Sequence, residues 1–75
     1  MSNLAIRLYR TDGTVEVAYY PTLKSEAKHR TEARKMAQMS GAKRVEVVKV
    51  DAGTGLMFTM ARFVGYGDGK VRREL

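Results

Sequence analysis

Apolar and polar residues alternate in two segments near the N-terminus. Segments 4–10 (LAIRLYR) and 14–20 (TVEVAYY) are rich in residues that favour β-strands, and Asp12-Gly13 lies between them. Asp-Gly between two alternating runs is typical of a β-hairpin closed by a two-residue type I′ turn, because that turn requires positive φ at both central residues. The pattern therefore predicts a hairpin as the first unit of the fold.

A two-residue turn would also fix which side chains share a face of this hairpin. It would pair Leu8 with Val17 and Ile6 with Tyr19, so that both pairs lie on one apolar face. Successive strand residues point to opposite faces. The other face would then carry an arginine between aromatic side chains, namely Arg7, Tyr9 and Tyr20.

The period of the apolar residues changes between residues 22 and 40. Ala33 and Ala37 recur at the spacing of one helix face, and such small residues would let a helix lie close to a sheet. We expect a helix of about five turns here, since an α-helix has 3.6 residues per turn. Its candidate caps are Thr22 or Ser25 at the start and Gly41 at the end.

Three further segments favour strands. Segments 43–50 (KRVEVVKV) and 56–64 (LMFTMARFV) flank a glycine-containing turn at 51–55, and 70–75 (KVRREL) could pair back as a fifth strand. Valines fall on both faces of 43–50, which indicates either a central strand or a bulge.

These elements predict one α+β domain over residues 1–75. We expect an antiparallel sheet of four or five strands with one helix packed on one face, in the order β-β-α-β-β with an optional last strand. A chain of 75 residues has room for a single thin core.

Charge is the strongest feature of the composition. Fourteen Lys and Arg residues against eight Asp and Glu give a net charge of +6, which favours partners such as nucleic acid or an acidic protein surface. The absence of cysteine excludes a disulfide framework and a thiolate zinc site. The sequence has neither a signal-peptide pattern nor an apolar run near the roughly 20 residues that span a bilayer. We therefore expect a cytoplasmic protein with no membrane partner.

The glycine-rich segment 64–73 (VGYGDGKVRR) invites comparison with a phosphate-binding loop. A P-loop places four residues between its glycines and a Ser or Thr after its lysine. Here three residues separate Gly65 from Gly69, and Val71 takes the place of the hydroxyl residue. The segment instead favours a second hairpin, with its turn at Asp68-Gly69.

Few residues are suited to catalysis. His29 is the only histidine, and it borders the apolar face of the predicted helix, where a packed structural role is expected. The three aspartates lie in predicted turns, and the glutamates occupy positions predicted to be exposed and paired with basic neighbours. We therefore expect that the protein is not an enzyme and uses no metal, cofactor or small-molecule substrate.

The candidate binding residues form three groups, each of which also has an ordinary structural explanation. The helix stripe could follow phosphates or could be a solvated helix face, and consists of Lys24, Lys28, Arg34 and Lys35. The sheet group could stack bases, anchor a protein or simply cover the sheet, and consists of Arg7, Tyr9 and Tyr20. The C-terminal group could reach a partner or guard an edge strand, and consists of Lys70, Arg72 and Arg73, with Lys43, Arg44 and Arg62 at other strand ends.

Methionines offer a further indication of function. Met36, Met39, Met57 and Met60 are expected to fill gaps in the thin core. Exposure of Met39 or Met57 would instead indicate a protein-binding surface.

Two functions remain open. In the first, the chain is a non-enzymatic module that docks through basic surfaces on a protein or nucleoprotein complex that handles nucleic acid. In the second, it binds nucleic acid directly and with little sequence preference. In size, basic charge and lack of catalytic groups the chain resembles the small inhibitors that phages encode, such as anti-CRISPR proteins and inhibitors of host RNA polymerase. That resemblance, which is one of architecture and charge, implies the first function.

Overall fold

The computed structural model describes residues 3–75 and confirms the predicted α+β fold, including the fifth strand. The elements are β1 (Asn3–Arg10), β2 (Val15–Ala18), α1 (Glu26–Ala37), β3 (Ala42–Val50), β4 (Met57–Gly65) and β5 (Val71–Arg73).

The five strands form one sheet in the order β2-β1-β3-β4-β5, and every neighbouring pair is antiparallel. Strand β3 is therefore central, and α1 links β2 to β3 by crossing β1. The pairing of β3 with β4 also shifts register after Val47, which leaves Met60 without a partner on β3. The central position of β3 therefore explains its valines on two faces, whereas the extra residue of this bulge belongs to β4 and not to β3.

The core lies between α1 and one face of the sheet. Ala33 and Ala37 of the helix are fully buried, and their small side chains let α1 approach β3 and β4 closely. Strand residues complete this core, namely Ile6, Val45, Val47, Ala61 and Phe63. His29 is also buried, and its Nδ1 lies 2.8 Å from the carbonyl oxygen of Ser25.

The helix is shorter than the sequence predicted at both ends. Ser25, and not Thr22, is the N-cap, because its Oγ accepts a hydrogen bond from the amide of Lys28 (3.2 Å). At the other end Gln38 is the C-cap, so Gly41 is not the C′ residue. Gly41 instead adopts a φ of +86° in the turn that leads into β3. Within residues 3–75, no helix is long and apolar enough to cross a membrane.

The first hairpin forms as predicted, but its register is shifted by one residue. Leu8 pairs with Glu16 and Ile6 with Ala18, so the predicted pairs Leu8–Val17 and Ile6–Tyr19 are wrong. The connection is a three-residue loop over 11–13 in which only Gly13 has positive φ, at +90°. Asp-Gly suits this loop because the glycine alone needs the left-handed conformation. Because side chains alternate between the two faces of a strand, this shift of one residue places the side chains of β2 on the face opposite to the predicted one.

The second predicted Asp-Gly hairpin also forms, and it too is closed by a three-residue loop. The amide of Tyr66 donates to the carbonyl oxygen of Lys70 (3.2 Å), which leaves residues 67–69 as a three-residue loop between β4 and β5. The carboxylate of Asp68 accepts from the amide of Lys70 (3.0 Å), as that of Asp12 accepts from the amide of Thr14 (2.9 Å). The glycine-rich segment is therefore a hairpin.

Candidate binding surface on the open sheet

The sheet face opposite α1 is uncovered in the described part of the chain. We call it the open face. The central strand places Arg44 and Glu46 on it, since both alternate with the buried core valines of β3. Exposed or partly exposed side chains from the neighbouring strands also lie on the open face, namely Arg7, Tyr9, Val15, Val17, Met57, Thr59, Arg62, Val64 and Arg72. Ala5 and Val48 point to the same face but are fully buried.

Glu46 lies at the centre of the open face and is almost fully buried, with 1% of its surface exposed. Its Oε1 accepts two hydrogen bonds from Arg7, from Nε (3.0 Å) and Nη2 (2.8 Å), and its Oε2 accepts one from Nε of Arg62 (2.6 Å). The three residues form one cross-strand row over β1, β3 and β4. For Glu46 the prediction of an exposed glutamate is wrong.

The two arginines also determine the charge state of Glu46. Burial by itself would raise the pKa of this carboxyl group. Hydrogen bonds from Arg62 and Arg7, together with the charges of Arg7 and Arg44, outweigh burial and hold the pKa below its ordinary value. Glu46 is therefore ionised at neutral pH.

This lowered pKa predicts a dependence of stability on pH. The stabilising contribution of Glu46 is fully present above the ordinary glutamate pKa of about 4.3 in the unfolded chain, and it is lost as the pH falls through the lower pKa of the folded state. The free energy of unfolding should thus decrease with acidification below about pH 4.3. Urea titrations between pH 2.5 and 7 should show a weaker pH dependence for Glu46→Gln than for the native chain, and equal dependence in the two proteins would contradict the role given to Glu46.

Tyr9 lies beside this row and contacts two arginines. The guanidinium carbon of Arg44 is 4.0 Å from the centroid of the Tyr9 ring, and that of Arg7 is 5.5 Å away. Such distances are those of cation–π interactions. The open face therefore presents guanidinium groups that are already held in place by an aromatic ring and a carboxylate.

The structure brings together some of the sequence-predicted site residues and separates others. Arg7, Tyr9 and Arg72 share the open face. Tyr20 does not, since it packs against the core on the helix side and its hydroxyl lies 3.9 Å from Sδ of Met36. Arg73 also leaves this group, with its guanidinium 5.9 Å from the ring of Phe63 in the core. The helix layer and the last loop carry the other exposed residues, namely Lys24, Lys28, Arg34, Lys35 and Lys70.

One end of the sheet exposes a run of large apolar side chains. We call it the apolar end, and it consists of Leu56, Met57, Phe58 and Met60. Sδ of Met57 lies 3.9 Å from Nη1 of Arg7, so the apolar end adjoins the arginine row. Met39 is also exposed, at 61%, whereas Met36 packs against the core. The expected role in the core is therefore confirmed for Met36 and wrong for the other three.

Two clefts border the sheet. The first, of about 350 Å³, is lined by Tyr9, Arg10, Gly13, Thr14, Lys43, Arg44, Val64 and Glu74, and we call it the basic cleft. The second, of about 610 Å³, is lined by Asn3, Leu4, Tyr19, Tyr20, Pro21, Leu23, Lys24 and His29. In the basic cleft, Nε of Arg44 is buried and makes no hydrogen bond with any described residue.

The side chains with metal-ligating groups do not converge. Among residues 3–75, no group of three or more His, Asp or Glu side chains could hold a metal ion. In comparisons with known proteins, no family model, no curated protein and no solved structure matches the chain. The open face, the apolar end and the basic cleft are therefore the candidate binding surfaces of the described residues.

Proposed function

We propose that this chain is a non-enzymatic, cytoplasmic binding module that docks through its open face on an acidic surface of a protein in a nucleic-acid-handling complex. The observation that carries the proposal is one uncovered surface that joins Tyr9, the arginines around Glu46 and the exposed Met57. Tyrosine, arginine and methionine are the residue types enriched in protein interfaces.

Preorganisation supports the proposal. Arg7 and Arg62 each donate hydrogen bonds to a buried carboxylate, and Arg44 is stacked on an aromatic ring. Side chains that are fixed before binding lose less conformational entropy when a partner arrives. These arginines therefore suit a stable interface better than mobile lysines on a surface would.

The apolar end supports a protein partner over a polyanion. Leu56 and Phe58 have more than half of their surface exposed, and Met57 and Met60 have 38% and 39% exposed. Met57 lies on the open face and Phe58 on the opposite face, so Met57 is the residue that adds apolar surface to the docking face, and exposed apolar side chains of this kind mark protein interaction sites. The net charge of +6 favours an acidic partner by electrostatic steering.

Direct binding to nucleic acid is the second candidate, and one observation favours it. The exposed lysines and arginine of the helix stripe, on the opposite layer from the open face, could contact phosphates. The two basic surfaces face away from each other, so one strand could not follow both at once. The ring of Tyr9 that could stack a base already contacts Arg44.

A matched pair of variants tests the proposal. Met57→Ala/Arg72→Glu removes an apolar anchor and reverses an exposed charge on the open face, whereas Met39→Ala/Lys35→Glu makes the same changes on the helix layer. We expect the open-face variant to retain an acidic partner at least about tenfold more weakly, since interface anchors contribute about 2 kcal/mol or more. The control variant should bind within about twofold of the native chain.

The measurement is affinity purification from nuclease-digested host extract, followed by titration of the retained protein against each variant. Thermal unfolding should first confirm that both variants are folded. The proposal fails if digestion removes every partner, or if the helix-layer variant is the one that loses binding. In that case, steep weakening of nucleic-acid binding with salt would establish the second candidate.

A further inference from the structure

We infer that the basic cleft is a carboxylate-binding subsite, which receives one Asp or Glu side chain of the docked partner. The inference rests on the proposed function and adds the chemistry of one contact to it. The basic cleft adjoins the open face because Tyr9, Arg44 and Val64 belong to both.

Some charges in the basic cleft are already matched by neighbouring residues, and two are not. Arg10 pairs with Glu16 outside the cleft, and Glu74 pairs with Arg72 (2.8 Å). Lys43 makes no ion pair within residues 3–75, and Arg44 has only a distant one, with its Nε 3.9 Å from Oε2 of Glu46. Two cations of the lining therefore remain for an incoming anion.

Nε of Arg44 has no hydrogen-bond partner among the described residues. This atom is buried, and its distance from Glu46 is too long for a hydrogen bond. A buried donor without a partner costs about 1–3 kcal/mol, so Glu46 does not fully match the charge of Arg44. Nε itself is inaccessible, so an incoming carboxylate would contact the exposed part of the Arg44 side chain, which is 39% accessible.

The neighbouring cross-strand row of the same sheet shows how a carboxylate is held between strands. There the carboxylate of Glu46 lies between Arg7 and Arg62 and accepts from both. In the adjacent row Arg44 occupies the central strand between Tyr9 and Val64, and no described carboxylate accepts a hydrogen bond from its Nε. A partner's carboxylate would give Arg44 a negatively charged neighbour, as Glu46 does for Arg7 and Arg62 in the other row.

The shape and lining of the basic cleft favour a carboxylate over a chain of phosphates. A volume of about 350 Å³ is near the lower limit of ligand pockets and suits one or two side chains. Tyr9 and Val64 provide apolar surface for the methylene groups of Asp or Glu. This volume admits a single carboxylate side chain but not the successive phosphates of a nucleic-acid strand, and the lining is net positive because Glu74 is paired with Arg72.

Titrations with defined probes test this subsite. ¹⁵N-labelled protein would be titrated at low salt with a hexaglutamate peptide, with a hexaglutamine peptide of the same length, and with a six-residue oligothymidylate. We expect hexaglutamate to shift the amide resonances of Tyr9, Gly13, Thr14 and Lys43, and hexaglutamine to leave them unchanged. Hexaglutamate affinity should fall about tenfold or more in Lys43→Gln/Arg44→Gln, since both unmatched cations are lost.

The control removes the same charge elsewhere. Lys28→Gln/Lys35→Gln also lowers the net charge by two but lies on the helix layer, so its hexaglutamate affinity should stay within about twofold of the native value. If Arg44→Gln prevents folding, Lys43→Glu alone serves as the cleft variant, because Lys43 is exposed. Equal losses in the cleft and helix variants would overturn the inference, as would tighter binding of the oligothymidylate at the same amides.

The outcome also separates this inference from the docking proposal. If Met57→Ala/Arg72→Glu loses the partner while Lys43→Gln/Arg44→Gln binds hexaglutamate normally, docking stands and the carboxylate subsite is refuted. Suppose instead that Lys43→Gln/Arg44→Gln loses hexaglutamate binding while Met57→Ala/Arg72→Glu still binds the partner normally. The carboxylate subsite then stands, and the proposal that the partner docks on the open face is refuted.

Discussion

Replacing Glu46 with alanine is expected to lower the free energy of unfolding by about 2 kcal/mol, because it removes the carboxylate that accepts charge-assisted hydrogen bonds from Arg7 and Arg62. Glu46 is 1% exposed, so water cannot easily replace it. A domain of this size has a total stability of roughly 4–11 kcal/mol, so the loss is a large share. Urea unfolding at pH 7 measures it.

Glu16 provides the control for this experiment. It also pairs with an arginine, Arg10, but its side chain is 55% exposed. Ion pairs at the surface contribute about 0–1 kcal/mol, so Glu16→Ala should change the free energy of unfolding by less than about 1 kcal/mol. A loss at Glu46 no larger than that at Glu16 would show that the central row does not stabilise the fold.

The second large effect is expected at Gly65, where alanine should lower the free energy of unfolding by about 3 kcal/mol through steric overlap. A Cβ at this position would overlap the backbone carbonyl oxygen of Ala37 at the end of α1 and would lie 3.2 Å from that of Ala42. Neither atom belongs to a flexible side chain, so the helix or β4 would have to move. Circular dichroism during thermal unfolding, together with urea titration, measures the effect.

Gly53 is a suitable comparison for Gly65. Its φ is not positive, and an added Cβ would meet only the carboxylate of Asp51 at 3.6 Å, an ordinary contact. Gly53→Ala should therefore leave the free energy of unfolding within about 0.5 kcal/mol of the native value. Equal losses of stability at the two positions would show that close packing of α1 against β4 does not require a glycine at residue 65.

The order of the elements could be predicted because each has its own apolar period, whereas their exact ends and register could not. Asp12-Gly13 is compatible with a two-residue and a three-residue loop, and only the pairing of β1 with β2 distinguishes them. The helix was predicted too long because Thr22 and Ser25 are both acceptable caps, and the contacts of the folded chain select Ser25.

The central feature of the open face was not predicted. Glu46 is a single acidic residue in a valine-rich strand, and its burial depends on Arg7 and Arg62, which lie far away in the sequence. A signal was nevertheless present, because a charged residue in the middle of a predicted central strand requires partners on the neighbouring strands. By contrast, the exposure of Met57 depends on the bulge in the β3–β4 pairing, whose extra residue, Met60, lies on β4, whereas the sequence indicated a bulge only as one alternative for β3.

The sheet order has a consequence for how the chain folds. The β1–β2 and β3–β4 hairpins are local, and hairpins of this kind form in roughly 1–10 μs. The ladder between β1 and β3 is not local, since Ile6 pairs with Val47 across residues 7–46. Closing that loop costs entropy that increases only slowly with its length. Early formation of α1 would shorten the loop, so the helix that covers the core also assists the joining of the two hairpins.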